Sequence, residues 1–463
     1  MKAQICRQFL VVLLALFTLP TFADGAFSPA TACTYYASPT GKGKGLSPTS
    51  PFQISKFWSV AKPGVTLCLT DGVYTGGNSM IVPPAGLSGT QANPITIKAL
   101  NDGQVRLNGQ GGRIPVRLYN NDWFVIEGIN ACCSSRSVFN MGTGSDNNVI
   151  RRAIGWDAAD ANTDIFGSHG NTGNLFEDVA GFGIARKIFA MSYGGNNVII
   201  RRAWAQWERS TTIGPKMAYT LAYNNYNVIC ENCIGAWDET SMGGEGVNQP
   251  YGILAMDRFD GDAFANSKYL GSIAYIRAKD KAEYMIGLAR SSSSVAGITY
   301  KDVVIYIEPG SHLNLKPFSL PNLRSDRGGP ANNQLLANAT EIGGAQSVIR
   351  GDWRVSSHVD VDSVSEAPSI WDGPGNDGAR ICKRYVNGVL TADPLWPWPM
   401  NQRIIDAMRE SGRQPVDLTK TMEQMFGPIP NMCRSDMATT TPSSAATSVE
   451  SLPSAPSNLR TDQ

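Results

Sequence analysis

Between residues 147 and 238 the apolar positions fall into one short pattern repeated four times. The copies read NNVIRRAIGWD (147–157), GNLFEDVAGFG (173–183), NNVIIRRAWAQWE (196–208) and YNVICENCIGAWD (226–238). Each sets an Asn before an apolar pair (Asn148, Asn174, Asn197, Asn227) and closes on an aromatic (Trp156, Phe182, Trp207, Trp237). The runs are short, β-branched and aromatic, as strands are, and no helical apolar period separates them. Copies about 23 to 30 residues apart, without crossover helices, predict a coil of parallel strands in which each turn stacks on the last. The Asn positions then form a column, since Asn tolerates a left-handed turn and stacked amides can hydrogen-bond along the axis.

The same strand pattern extends on both sides, at 95–107, 122–130, 269–277 and 298–308, with long loops expected at 239–267 and 279–296. Residues 63–330 are assigned to the coil on this basis. Residues 1–23 read as a secretory leader: Lys2 and Arg7 precede FLVVLLALFTL, a run too short to span a bilayer, and a small-x-small cleavage site follows. A secreted or periplasmic location is therefore expected. Residues 24–62 form a separate N-terminal segment. Beyond 331 the pattern weakens into a packing segment (331–433) with two short amphipathic helices, and 434–463 is a Ser, Thr, Ala and Pro tail without a core. Trp396 and Trp398 are expected to pack in that segment.

The stretch TYYASPTGKGKGLSPTSPFQISKFWSVAKPGVTLCLTDGVYTG, followed by NPITIKALNDGQVRLNG, is similar to the opening of secreted right-handed parallel β-helix proteins of the pectate lyase-like superfamily. The resemblance implies an all-β, single-stranded right-handed parallel β-helix with an N-terminal capping helix and a C-terminal helical or irregular cap. Phe52, Ile54, Phe57, Trp58, Val60 and Ala61 would be the apolar side of the sealing helix, protecting unpaired edges.

Composition narrows the partners. The net charge is +1, so nothing points to nucleic acid or to an anionic bilayer; the resemblance implies polysaccharide as the partner, and a monomer is expected. Charged residues are scarce at 17%, whereas 47 Gly and 27 Pro suit a turn-rich β chain. Nine cysteines, less Cys6 in the leader, leave eight for an oxidising compartment. Cys33 with Cys68 and Cys382 with Cys433 are expected to clamp the two ends. Cys230 and Cys233 read as small buried residues rather than zinc ligands, and adjacent Cys132 and Cys133 fit neither role.

An acid follows the closing aromatic in three copies: Asp157, Glu208 and Asp238; the second copy has Gly183 there. One shared column would leave a gap at Gly183, beside which the second copy offers Arg186 and Lys187, with Asp160 and Asp164 a turn below. β-Elimination from a uronate chain needs a neutralised carboxylate, a base for the adjacent carbon-bound proton and a proton donor for the leaving oxygen. Likeness to the calcium-dependent pectate lyases implies Asp157, Asp160 and Asp164 as metal ligands and Lys187 as base beside Arg186, with calcium supplying the neutralisation. Lys216 and Arg209 are rival cations a turn away. A two-carboxylate hydrolase is the alternative: Glu208 and Asp238 on adjacent turns would stand about 5 Å apart, and Asp157 and Glu208 about 9.5 Å. NTD (162–164) and SHG (168–170) resemble motifs of the polygalacturonase-like branch, but they lie within one coil, and His169 reads as a turn residue. A non-catalytic glycan-binding or scaffold protein is the third possibility.

Overall fold

The computed structural model describes residues 32–212 continuously, the strands and many turns between 216 and 372, and residues 381–435. Residues 1–31, Asp238 and residues 436–463 lie outside the described residues. Within them the chain winds as a right-handed parallel β-helix with three faces. The first two faces form one sheet of 20 strands, and the third face is a separate sheet of nine.

The strands Val149–Trp156, Leu175–Ile184 and Ile199–Arg209 each cross from the first face to the second. One residue bends each of them: Arg152 (φ 49°), Asp178 (φ 52°) and Arg202 (φ 48°), all left-handed, and Asn232 and Asp302 continue the line. Such a conformation costs an L-residue roughly 1–2 kcal/mol. Side-chain pairing offsets that cost: Arg202 Nε donates to Asp178 at 2.7 Å, and Arg152 pairs with Asp102.

Stacking does place like above like, though in a different register from the one the sequence suggests. Val149, Leu175, Ile199 and Ile229 are lateral neighbours. Asn148 and Asn174 therefore share one column, in which the Asn148 amide N–H donates to Asn174 Oδ1 at 2.8 Å. Asn197 and Asn227 stand one place earlier, in a left-handed column with Asn147, where Asn227 Nδ2 donates to Asn197 Oδ1 at 3.1 Å. The aromatics split likewise. Trp156 stacks on Phe182 outside the coil (5.6 Å between centroids), while Trp207 stacks on Trp237 inside it (4.2 Å), because Gly183, not Phe182, is the neighbour of Trp207.

Inside, Phe139, Phe166, Phe189 and Tyr219 pile up at 4.6, 4.8 and 4.9 Å with nearly parallel rings. Helix α1 (Ile54–Phe57) adds Ile54 and Phe57 to this core, with Trp58, Val60 and Ala61 partly buried against it.

The coil also runs past residue 330. Asn333–Leu335 and Trp353–Val355 add to the first face, and Ala339–Ile342 and His358–Val361 to the second. Tyr251–Asp257, inside the expected 239–267 loop, is a third-face strand.

The C-terminal segment is a strap on the flank rather than a cap on the end. Helices α2 (Asn401–Glu410) and α3 (Leu418–Phe426) lie over the outside of the second face, where Trp396, Trp398, Ile404, Met408 and Met422 cover Ile154, Trp156, Phe182 and Trp204. Arg403 reaches Asp102 near one end of the strap, and Tyr385 reaches Asp302 further along the coil. Cys33–Cys68 joins the first two turns, whereas Cys382–Cys433 closes the strap on itself. Cys230 and Cys233 are buried but bonded to each other, and Cys132 and Cys133 are free thiols.

Candidate active site on the third face

Third-face strands Asp164–His169 and Lys187–Ser192 pair in parallel, with Asp164 opposite Lys187 and His169 opposite Ser192. Ile165 and Phe166 both enter the core, so the strand bends and turns Asp164, Gly167 and His169 outward. Ile188 and Phe189 do the same one turn on. The result is a pocket of 230 Å³ lined by Arg136, Ser137, Asn140, Asn162, Thr163, Asp164, His169, Lys187, Ser192 and Tyr193.

A hydrogen-bonded chain crosses it. His169 Nε2 lies 3.0 Å from Asp164 Oδ2, and His169 Nδ1 lies 2.6 Å from Ser192 Oγ. A carboxylate can only accept, so Nε2 carries the proton and Nδ1 is left as acceptor of the Ser192 hydroxyl. Gly167 makes the bridge possible: a Cβ there would stand 2.8 Å from His169 Nε2 and 3.0 Å from Asp164 Oδ2. His169 is thus the last residue of a strand and a member of the pocket, not a turn residue. Tyr193, 62% exposed, stands between His169 and Tyr223, with ring centroids 5.9 and 5.0 Å away. Lys187 is buried, its Nζ 5.5 Å from the centre of the Tyr223 ring.

The expected acidic column does not assemble. Asp157 and Glu208 lie at the second-face flank, both held by Arg413 of the strap: Nη2 donates to Asp157 at 2.6 Å and Nε to Glu208 at 2.7 Å. The gap at Gly183 admits Arg413, not Arg186 and Lys187; a Cβ on Gly183 would come within 2.6 Å of Arg413 Nη2. Asp160 instead ties down the loop after Glu208, accepting from the Thr211 amide at 2.7 Å, the Thr211 hydroxyl at 2.8 Å and the Ser210 hydroxyl at 3.1 Å. Burial pushes its pKa up, but those donors and the charge of Arg209 outweigh it and hold the carboxyl below its usual value. Asp164 is engaged by His169. Three carboxylates on three separate partners do not make a calcium cage, and among the described residues no cluster of three or more acidic, His or Cys side chains could hold a metal. Arg186 sits at the rim, donating to Asn162 at 2.6 Å. Lys216 is fully buried outside the pocket lining, since its neighbour Met217 takes the place opposite Lys187.

Of the proposed site residues, then, Lys187 and Asp164 meet, joined by His169, Ser192, Arg136, Asn140 and Tyr193. A signal for these was present. DIFGSH (164–169) and KIFAMS (187–192) align without gaps, and that alignment pairs Asp164 with Lys187 and His169 with Ser192.

No family model matches the sequence, and no curated protein is similar to it. Among solved structures, the chain is similar to a rhamnogalacturonan lyase (13% identity, 86% of this chain and 99% of that one, TM-score 0.42). It is also similar to the pectate lyase Pel9A (13% identity, 70% and 78%, TM-score 0.38) and to an alginate lyase from Paenibacillus sp. str. FPU-7 (13% identity, 58% and 95%, TM-score 0.35). The chain's own strand pairing makes it a parallel β-helix protein.

Proposed function

We propose that the protein cleaves a uronate-containing polysaccharide by β-elimination in the third-face pocket. The observation that carries this is an imidazole braced by a carboxylate beside two cations: His169 on Asp164, with Arg136 and Lys187 lining the same space. Arg136 and Lys187 neutralise the sugar carboxylate, which acidifies the adjacent C–H bond. His169 Nδ1, its tautomer set by Asp164, takes that proton as Ser192 rotates aside. The electron pair forms the ring double bond, the glycosidic C–O bond breaks, and the exposed Tyr193 hydroxyl protonates the leaving oxygen. Calcium takes no part in these steps, because Asp157 and Asp160 are engaged outside the pocket and Asp164 braces His169. Of the carboxylates considered for hydrolysis, Asp157 and Glu208 are both engaged by Arg413, and Asp238 lies outside the described residues.

The test is a panel of uronate polysaccharides assayed for an ultraviolet-absorbing unsaturated product. Turnover should persist in chelator and fall about 100-fold or more in His169→Gln. Reducing ends without that absorbance would replace the proposal with hydrolysis. Binding without either product would replace it with a glycan-binding role.

A further inference from the structure

Elimination asks of Ser192 only that it move aside. Ser192 lies at the floor, 1% exposed, and its hydroxyl meets a nitrogen that is set up to take a proton. We infer that Ser192 is a nucleophile and that the pocket removes small O-acyl groups, such as acetyl esters, from the glycan. This goes beyond the elimination chemistry and uses the same cavity on a different bond.

The arrangement has the parts that acyl transfer needs. A carboxylate orients an imidazole, and the imidazole accepts from a serine, with the roles of the two ring nitrogens exchanged relative to the serine proteases. That exchange is chemically neutral, since each nitrogen lies in the ring plane and Asp164 fixes which one is bare. Arg136, Lys187 and the Asn140 amide line the same space and can stabilise a developing oxyanion. A nucleophile at the floor of a 230 Å³ polar pocket excludes long acyl chains and admits an acetyl-sized one.

The steps balance. Ser192 Oγ attacks the ester carbonyl carbon while its proton passes to His169 Nδ1. The sugar alkoxide leaves with that proton, giving acyl-Ser192 and a free hydroxyl on the glycan. Water then attacks the acyl carbon and gives a proton to His169, and that proton returns to Ser192 as the carboxylic acid departs.

The test exposes the protein to a fluorophosphonate probe, and separately to O-acetylated uronate polysaccharide. Peptide mass spectrometry locates the adduct, and released acetate is quantified. The expected result is one adduct, on Ser192, and acetate release that falls about 100-fold or more in Ser192→Ala. Absence of the adduct, an adduct elsewhere, or acetate release unchanged in Ser192→Ala overturns the inference. If Ser192→Ala does not fold, the wild-type adduct decides alone. Unsaturated product is measured in the same tubes, so loss of elimination with acetate release retained fails only the earlier proposal, and the reverse fails only this one.

Discussion

At the residue scale, the site depends on a missing side chain. Gly167 stands opposite Asn140 and Ala190 in the outward column, so a methyl group is tolerated in that column elsewhere. At Gly167 itself it would displace either His169 or Asp164. Gly167→Ala should therefore cost activity while hardly changing stability, since its φ is not in the left-handed range and the displaced groups face the pocket. We expect a fall of about 10- to 100-fold in turnover, the scale of a misplaced general base, with a thermal midpoint within a few degrees of wild type. A large loss of stability with activity per folded molecule intact would show that the slot serves packing instead. This scale is also where the sequence is hardest to read. Aligning the four phrases by their Asn residues is sound for Asn148 with Asn174 and slips by one at Asn197, and one place in a strand exchanges inside for outside. That slip puts Phe182 and Trp207 in one column when they lie on opposite sides of the sheet. It also sets Glu208 in line with Asp157, whereas Glu208 sits beside the bulge where Ile184 pairs with Arg209.

At the scale of elements, charge is organised along the coil as a ladder. Glu127, Arg151, Glu177, Arg201 and Glu231 are successive lateral neighbours on the first face, alternating in sign. Arg201 is fully buried, 3.1 Å from Glu177 and 2.8 Å from Glu231. Burial raises the Glu177 pKa in spite of Arg202 and Arg201. Arg201→Met removes one rung and leaves Glu177 and Glu231 without their shared partner; a loss of about 3–5 kcal/mol in urea unfolding is expected. A smaller effect comes from the cap of α3. Asp417 accepts from the Lys420 amide at 3.2 Å and from Asn401 Nδ2 at 2.9 Å; burial opposes these bonds, but they and the Lys420 charge hold its carboxyl below its ordinary value. A depressed folded pKa means that the stabilisation is present above the unfolded value and lost as pH falls through the folded one. Asp417→Ala should cost about 1 kcal/mol at neutral pH, and the difference from wild type should shrink below pH 3.8. A difference that stayed constant into acid would assign the effect to helix propensity.

At the scale of the whole molecule, the coil was legible in the sequence because a repeated strand pattern has one economical solution, while the strap was only half legible. Its helices show an apolar stripe in NQRIIDAMRE and LTKTMEQMF, but nothing in those stripes says whether they close the end of a rod or lie along it. The answer is on the coil, where Ile154, Trp156, Phe182 and Trp204 face outward and would be wet without a cover. Removing that cover exposes a contiguous apolar patch, which soluble proteins avoid. The strap is in turn closed by Cys382–Cys433, separated by 51 residues, so the bond restrains the uncovered state more than the covered one. On a loop-entropy account, replacing both cysteines with Ala should cost about 2–4 kcal/mol. The loss should appear as earlier strap release rather than as a change in the pocket, because Asp164, His169 and Ser192 belong to the third face and touch no strap residue among their hydrogen bonds. The double variant should therefore bind a hydrophobic dye and aggregate at lower temperature, yet keep wild-type turnover per soluble molecule below that temperature. Turnover that fell in step with dye binding would mean that the second face and the pocket are coupled through the core, and would overturn the division of the coil into a covered flank and a working face.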